Sequence, residues 1–255
     1  MTRTAPVVAL VIALALAGCS PSQRKGPTFA SGATGQPVVF AAIGGSETVG
    51  EGMDNPVRDA WPQVFFRSAL SASATFVNFA IAGVGVATAI DGELPEVRDL
   101  HPNLVTVWLN VADLLRGVPA STYESQLRSL VSQLKKLGAL VLVANTPPVE
   151  RLPAYETCRD PLHHPGTCPD GVLRPVPPPT TIAAIVSSYN AVVARVVASE
   201  GAVLVDLHGA LLPSAATAAL AGPDGLDPGD AAAALIAAQF AAALRHAGPI
   251  PPLHR

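Results

Sequence analysis

The chain has 255 residues, of which 49 % are hydrophobic and 14 % charged, and its formal net charge is −3. Although it contains 21 glycines and 25 prolines, a composition this apolar argues against a disordered chain. The small negative charge offers no basic surface for a phosphate backbone, so we expect no nucleic-acid partner. Because α/β folds routinely use about 200 residues or more as one unit, the length favours a single domain with one sizeable core.

The first residues are typical of an export signal. Arg3 precedes an apolar run, 7–17, that ends in small residues before Cys19. The run is too short for a membrane-spanning helix, which needs about 20 apolar residues. Residues 16–19, Leu-Ala-Gly-Cys, resemble a bacterial lipobox. The resemblance implies cleavage of a lipoprotein signal peptide, 1–18, and attachment of lipid to the sulfur of Cys19.

An ordinary secretory signal with an incidental cysteine is the alternative interpretation of the N-terminus. If the lipid is attached, several acyl chains on one residue would hold the protein stably at the membrane. We therefore expect an exported protein, anchored to the cell envelope outside the cytoplasmic membrane. The segment 19–36 is rich in Ser, Gly and Pro, which predicts a flexible linker ahead of a folded domain, 37–250.

Within that domain, strand-like and helix-like segments alternate. Near-continuous apolar runs, typical of parallel strands covered on both faces, occur at 37–43, 75–79, 104–109, 139–144 and 202–206. Apolar residues at three- and four-residue steps predict helices at 123–137, 182–198 and 231–245. Ser121 is the predicted N-cap of the first of these helices and Gly138 its C-terminal stop. The alternation predicts a three-layer α/β/α sandwich around a parallel five-stranded sheet.

The segment 155–180 is predicted to be a long loop, because its seven prolines exclude a helix or a central strand. It contains Cys158 and Cys168, an even pair that predicts a disulfide in an oxidising compartment. A zinc site is the alternative, since His163 and His164 lie between the cysteines. However, no further Cys or His stands at metal-ligand spacing.

Ligands of open α/β sheets bind outside the carboxyl ends of the strands, so the residues after each strand are the candidates for function. Ser46 follows the first strand and is either a nucleophile or only the N-cap of a short helix. Glu47 beside it is expected to face solvent near the helix start. The other candidate segments are 78–85, 110–117 and 224–230.

In this order, the four segments resemble the sequence blocks of the SGNH/GDSL hydrolase family, whose fold is flavodoxin-like. The resemblance implies that Ser46 is the catalytic nucleophile, with Gly45 where an aspartate is usual. It implies that Gly83 is an oxyanion-hole donor. In the last block, Asp224 takes the place of the catalytic aspartate and Asp227 that of the histidine.

Two departures from the family pattern affect the chemistry. Ala112 stands where the third block has an asparagine oxyanion donor, although the usual aspartate, Asp113, follows it. Asp227 replaces the imidazole that would take the proton of Ser46, and a carboxylate with a reference pKa of about 3.9 is a weaker base. Loss of the histidine costs on the order of 10⁶ in turnover, and loss of one oxyanion donor about 10² to 10³.

Three functions are therefore open, and we expect no cofactor. The first is a non-catalytic protein that binds an acyl-ester or glycan ligand. The second is an active carboxylic-ester hydrolase in which His208 replaces the missing base and Asn110 the missing donor. The third is a cation site, because the carboxylates of Asp224, Asp227 and Asp230 offer the oxygen ligands that calcium prefers, although capping and turn solvation explain them without metal.

Overall fold

The computed structural model describes residues 37–166, 168, 172, 174–213 and 220–253. The predicted signal peptide, 1–18, and the predicted linker with Cys19, 19–36, lie outside the described residues, so both stay predictions.

The described part of the chain contains the five predicted strands and the three predicted helices in their expected order, together with further helices that were not predicted. Its elements are β1 Val39–Gly44, α1 Ser46–Val49, α2 Pro56–Asp59, α3 Trp61–Ala69, β2 Thr75–Asn78, α4 Val86–Leu100, β3 Leu104–Trp108, α5 Val111–Leu115, α6 Ala120–Lys136, β4 Leu140–Ala144, α7 Pro153–Arg159, α8 Pro179–Glu200, β5 Val203–Val205, α9 Leu207–Leu211 and α10 Asp230–Ala247. A 3₁₀ turn, Val149–Arg151, lies between β4 and α7.

All five strands are parallel, in the order β2-β1-β3-β4-β5, and each matches its predicted run to within two residues at either end. Alternate strand residues point to opposite faces of the sheet, and each face has its own core. One core is formed with α4, α6 and α8, the other with α3 and α10. The second core is rich in stacked rings, such as Trp61 on Phe240 at 4.2 Å between centroids. The predicted three-layer sandwich is confirmed.

Topology fixes where a ligand site is expected. The chain leaves β1 towards β2 on one side and reaches β3 on the other, so the carboxyl ends of β1 and β3 flank a crevice where the strand order reverses. Ser46 follows β1 and Ala112 follows β3. The two therefore meet at this crevice.

Helix α4 was not predicted, because Pro95 and Gly92 interrupt its pattern. Proline removes one helical hydrogen bond, but Pro95 lies on the exposed face, where water can satisfy the freed carbonyl. The other face is held by apolar burial of Ala89, Leu94 and Val97. Packing thus overrides an unfavourable local sequence.

Two local predictions are wrong. Pro119, not Ser121, precedes the first turn of α6, and no side chain caps that helix. The segment 155–180 is not all loop, since 155–159 belong to α7 and α8 begins at Pro179. In both helices a proline occupies the first turn, where its missing N–H has no helical partner to lose.

The predicted disulfide between Cys158 and Cys168 is confirmed, with Cα atoms 4.9 Å apart. Among the described residues, only α8 is long and apolar enough to cross a membrane by length and composition. It packs as a core helix, with Val186, Tyr189 and Val193 buried against the sheet.

Candidate active site

Two glycines, Gly44 and Gly45, connect β1 to Ser46, and a larger residue at either position would require neighbouring atoms to move. A Cβ atom on Gly44 would lie 2.1 Å from Oγ1 of Thr48, well inside van der Waals contact. Gly45 is the N-cap of α1, which has no side-chain cap, and Ser46 is the first helical residue. The interpretation of Ser46 as an N-cap is therefore wrong, and its hydroxyl is available to the crevice.

The hydroxyl of Ser46 lies against the turn that follows β2. The backbone N–H of Gly83 donates to Oγ of Ser46 at 2.9 Å. Gly83 has a φ of +68°, in the left-handed region that favours glycine. The Arg116 guanidinium donates to its carbonyl and so anchors the turn. Ser46 and Gly83 are thus together, with the Gly83 N–H directed at the Ser46 hydroxyl.

The segment after β3 supports the site without adding a donor to it. Asp113 is buried, and its Oδ2 accepts from the backbone N–H of Val86 at 2.9 Å. A Cβ atom on Gly85 would lie 2.3 Å from Oδ1 of Asp113, so the carboxylate is tightly seated at the start of α4. Ala112 lines the crevice beside Ser46, but a methyl group cannot donate a hydrogen bond.

The two substitute residues are engaged elsewhere. The side-chain amide of Asn110 donates to the carbonyl of Ala144 at 3.1 Å and accepts from Trp108 at 3.2 Å. Nδ1 of His208 lies 3.2 Å from the carbonyl oxygen of Thr146. Neither Asn110 nor His208 lines the cavity at Ser46, so the geometry does not support them as its donor and base.

The crevice at Ser46 is a cavity of about 360 Å³. The described residues that line it are Ser46, Glu47, Glu51, Ala82, Gly83, Val111, Ala112, Leu115, Arg116, Asp224, Leu226 and Asp227. Four of these carry carboxyl groups, one carries a guanidinium, and none is a histidine. The described lining therefore contains the Ser46 hydroxyl and the Gly83 N–H but no imidazole.

Glu47 is buried, with 8 % of its surface exposed, so the expectation that it faces solvent is wrong. Its Oε2 lies 3.0 Å from where a Cβ atom on Gly45 would stand. The Glu47 carboxyl thus crowds the position at which an aspartate is usual in the resembled family. Burial, reinforced by the charges of Glu51 and Asp224, raises the pKa of Glu47 above its ordinary value.

Asp227 shares the cavity with Ser46, Glu47 and Asp224 and is 4 % exposed. Oδ1 of Asp224 accepts from its backbone N–H at 3.0 Å, while Oδ1 of Asp227 itself is buried without a partner. Burial first, and then the negative charge of Glu47 and the contact with Asp224, raise the pKa of Asp227 far above its usual range. Its carboxyl consequently retains a proton where an ordinary aspartate has lost it.

The acidic segment before α10 does not form a metal site in the part of the chain that the structure describes, where no cluster of three or more potential ligand residues is found. Asp230 is the first residue of α10, and Gly229 is the N-cap without a side-chain contact, so Asp230 does not cap the helix. Nothing in this geometry supports the cation hypothesis. His163, from the zinc alternative, pairs instead with Asp160 on the surface.

Sequence reasoning missed Glu47 and Arg116 as parts of the site. Glu47 gives no signal of burial, because it stands in a four-residue helix too short to show periodicity. Arg116 follows α5 one turn after Ala112, so that spacing on a helix could have placed it near Ser46.

Known proteins are similar to this chain in sequence or in structure. An arylesterase from Vibrio mimicus is 29 % identical over 100 residues, which are 38 % of this chain and 50 % of the arylesterase. The chain thus spans about half the length of this curated relative. The crystal structure of TesA has 19 % identity and a TM-score of 0.60, covering 82 % of this chain and 99 % of TesA. Axe2, an acetyl-xylooligosaccharide esterase from Geobacillus, has 21 % identity and a TM-score of 0.61, covering 89 % and 99 %.

At these identities the structural similarity shows the fold alone. The family follows from the sequence, because the profile of the GDSL-like Lipase/Acylhydrolase family matches residues 42–235. That range contains Ser46, Gly83 and Asp227 and covers most of the chain. The chain belongs to the GDSL-like lipase/acylhydrolase family.

Proposed function

We propose that this chain is a ligand-binding member of its family, which retains the ester site around Ser46 but lacks the base for rapid hydrolysis. The observation that carries the proposal is the buried carboxyl of Asp227 in the cavity at Ser46, at the sequence position where the family resemblance implies a histidine. Because its pKa is raised, this group is a proton donor rather than an acceptor at neutral pH.

The remaining geometry supports binding of a carbonyl compound. The Gly83 N–H that contacts Oγ of Ser46 can donate to a ligand carbonyl at the same place. Ala112 provides no second donor, so charge that develops on the carbonyl oxygen is poorly stabilised. Ground-state binding thus survives, while the interactions that appear only in the transition state are lost.

We further propose that the protein is exported and lipid-anchored through Cys19, as the Leu-Ala-Gly-Cys segment implies. Replacing Cys19 with Ala and fractionating the producing cells tests this part. Retention of the parent with membranes and release of Cys19→Ala would support the anchor. Equal release of both proteins would contradict it.

The catalytic part is tested by hydrolysis of 4-nitrophenyl butyrate by the chain from Ser20 to Arg255. The parent is compared with Ser46→Ala and with the double variant Ala112→Asn, Asp227→His. We expect the parent and Ser46→Ala to show the same rate, and the double variant to exceed both by at least 10²-fold. Serine labelling by a fluorophosphonate probe in the double variant alone would give the same answer independently.

A second function, slow ester hydrolysis through Ser46, is favoured by one observation, the 2.9 Å contact between the Ser46 hydroxyl and the Gly83 N–H. In that case the parent hydrolyses the ester and Ser46→Ala does not. If Asp227 then acts as the base, its raised pKa requires the rate to increase with pH as the carboxyl loses its proton. A Ser46-dependent rate in the parent would overturn the non-catalytic proposal.

A further inference from the structure

The cavity at Ser46 is strongly acidic. Its described lining contributes four carboxyl groups, from Glu47, Glu51, Asp224 and Asp227. Arg116 is the one side chain of that described lining that carries a positive charge. Its guanidinium is already engaged, because it donates to the carbonyl of Gly83. The acids of the cavity therefore have little counter-charge of their own.

The four carboxyl groups lie at two depths. Glu51 and Asp224 are exposed, whereas Glu47 and Asp227 retain only 8 % and 4 % of their exposure. The exposed pair faces water, where its negative potential attracts cations. The buried pair is removed from water, so a positive charge that reaches it is held more strongly than at the surface. This arrangement suits a cation that enters from solvent and is bound at depth.

Asp227 also has an acceptor atom that nothing in the described chain uses. Its Oδ1 is buried and has no hydrogen-bond partner, although the side chain belongs to the lining of the cavity. Buried polar atoms in folded proteins nearly always have a partner, so this atom indicates a donor that comes from outside the chain. Burial and the neighbouring acids raise the pKa of both Asp227 and Glu47, as expected where protons substitute for a counter-ion.

We propose that this cavity holds a primary ammonium group of the ligand at the buried carboxyls of Glu47 and Asp227. The inference rests on the proposed function for the ligand carbonyl at Gly83, and it identifies the ligand as a small carbonyl compound that carries an amine. An ammonium group brings one positive charge and three N–H donors, one of which can serve Oδ1 of Asp227. The cavity, of about 360 Å³, lies within the range of small-molecule sites.

Other cations fit the same walls less well. The described part of the chain contains no cluster of three or more residues able to hold a metal ion, so the carboxyls do not converge on one small ion. Asp230, part of the calcium hypothesis, is absent from the described lining. A quaternary ammonium group has no N–H and is recognised by aromatic rings, which the described lining lacks. A primary ammonium group is therefore the favoured occupant.

Amino amides test the charge without chemical turnover. In each compound from 3-aminopropanamide to 6-aminohexanamide, a methyl group can replace the ammonium group to give an uncharged amide of the same shape. Calorimetric titration of the chain 20–255 at pH 7 should show at least one amino amide that binds about tenfold or more tightly than its uncharged counterpart. Equal affinities for every pair in the series would overturn the proposal.

Proton release provides a second measurement on the same samples. A bound cation favours the ionised form of the carboxyls it contacts, so binding should expel protons from Glu47 and Asp227. Titrations in phosphate and in Tris, whose heats of ionisation differ, count these protons. A binding heat that is the same in both buffers would contradict an ammonium group at the buried acids.

Two acids of one turn provide matched variants. Asp227 lines the cavity, whereas Asp230 is exposed and outside the described lining. Asp227→Asn preserves size but cannot ionise, so the advantage of the best amino amide should fall to about threefold or less. Asp230→Asn should bind as the parent does. Equal binding by all three proteins would contradict the assignment, and if Asp227→Asn fails to fold, the amide pairs and the proton count decide.

The outcomes separate the ammonium site from the proposed function. If the parent hydrolyses 4-nitrophenyl butyrate through Ser46, the non-catalytic proposal fails, yet the amino amides should still bind more tightly than their uncharged counterparts. If pentylamine binds as tightly as the best amino amide, the carbonyl position at Gly83 fails and the ammonium site stands. If calcium chloride binds with proton release and no amino amide does, the occupant is a metal ion and the proposal is overturned.

Discussion

Glu93 is a buried carboxyl directly behind the turn that carries Ser46, and it makes folding dependent on pH. It lies in α4 with 1 % of its surface exposed. Its Oε2 accepts from the backbone N–H of Gly44 at 2.9 Å, and its Oε1 is buried without a partner. Burial outweighs the hydrogen bonds from the backbone and raises the pKa of Glu93 from 4.5 to about 8.

The sign of the effect follows from proton counting. Between pH 4.5 and about pH 8, the folded protein holds a proton on Glu93 that the unfolded chain has lost. The free energy of unfolding therefore falls with rising pH, by up to about 1.4 kcal/mol for each pH unit. Across the whole interval from 4.5 to about 8, Glu93 accounts for a loss of roughly 4 to 5 kcal/mol. This is a large share of the roughly 5 to 15 kcal/mol that keeps a domain folded.

Glu93→Gln removes this dependence while preserving shape. The glutamine oxygen can accept from Gly44, and its amide group takes the place of the protonated Oε1. Urea unfolding at pH 5 and at pH 8.5 should show that the variant gains several kcal/mol over the parent as the pH rises. Glu47, Asp113 and Asp227, whose pKa values are also raised, contribute equally to both proteins, so only the difference reports on Glu93. A difference that does not change between the two pH values would refute the reasoning.

Three further changes test the packing around the site. Gly85→Ala would drive a methyl group into Asp113, so we expect urea titration to show a free energy of unfolding lower by about 2 to 4 kcal/mol. The control is Gly201→Ala, where a methyl group meets open space and only the left-handed backbone is unfavourable, so the expected cost is about 1 kcal/mol. Phe240→Ala should lower the free energy of unfolding by about 3 to 5 kcal/mol, because the buried ring stacks on Trp61. Leu235→Ala, on the exposed face of α10, should stay within about 0.5 kcal/mol of the parent, and similar losses in the two variants would contradict the described core. Reduction of the Cys158–Cys168 disulfide should lower the free energy of unfolding by about 2 to 3 kcal/mol, measured by calorimetry with and without dithiothreitol, and Cys158→Ser should show no further response to the reductant.

The strands and the long helices could be predicted because their signals are strong and local. The run 104–109 is apolar except for Thr106, and β3 is buried from Leu104 to Trp108. The periodicity of 123–137 locates α6, although its first turn begins at Ala120. Helix α4 was not predicted because Pro95 disfavours a helix locally. The helix is stabilised instead by the burial of Leu94 and Val97, which the local sequence does not indicate.

The same distinction applies to the site, where local signals predict some features and tertiary packing determines the others. Ser46 and Gly83 could be placed together from their order along the sheet, because both follow strands whose carboxyl ends are adjacent. The burial of Glu47 could not be predicted, since it depends on a carboxyl from α1 meeting the segment 224–227, far away in the chain. The protonation of Asp227 is likewise collective. From its reference pKa, Asp227 would be an ionised carboxylate and a weak base. Burial beside Glu47 and Asp224 raises its pKa, so its carboxyl stays protonated at neutral pH.

The fold constrains the residues that shape the crevice more strongly than those that would perform catalysis. Gly44 and Gly85 are fixed by sterics, because Thr48 and Asp113 occupy the space that any side chain would need. Ala112 is only partly buried, and the turn at Asp227 is held through its backbone carbonyl, which accepts from the N–H of Gly222 at 2.7 Å. The fold therefore maintains the crevice whether or not the base and second donor are present. For that reason two substitutions, Ala112→Asn and Asp227→His, are the smallest change expected to restore hydrolysis without rebuilding the site.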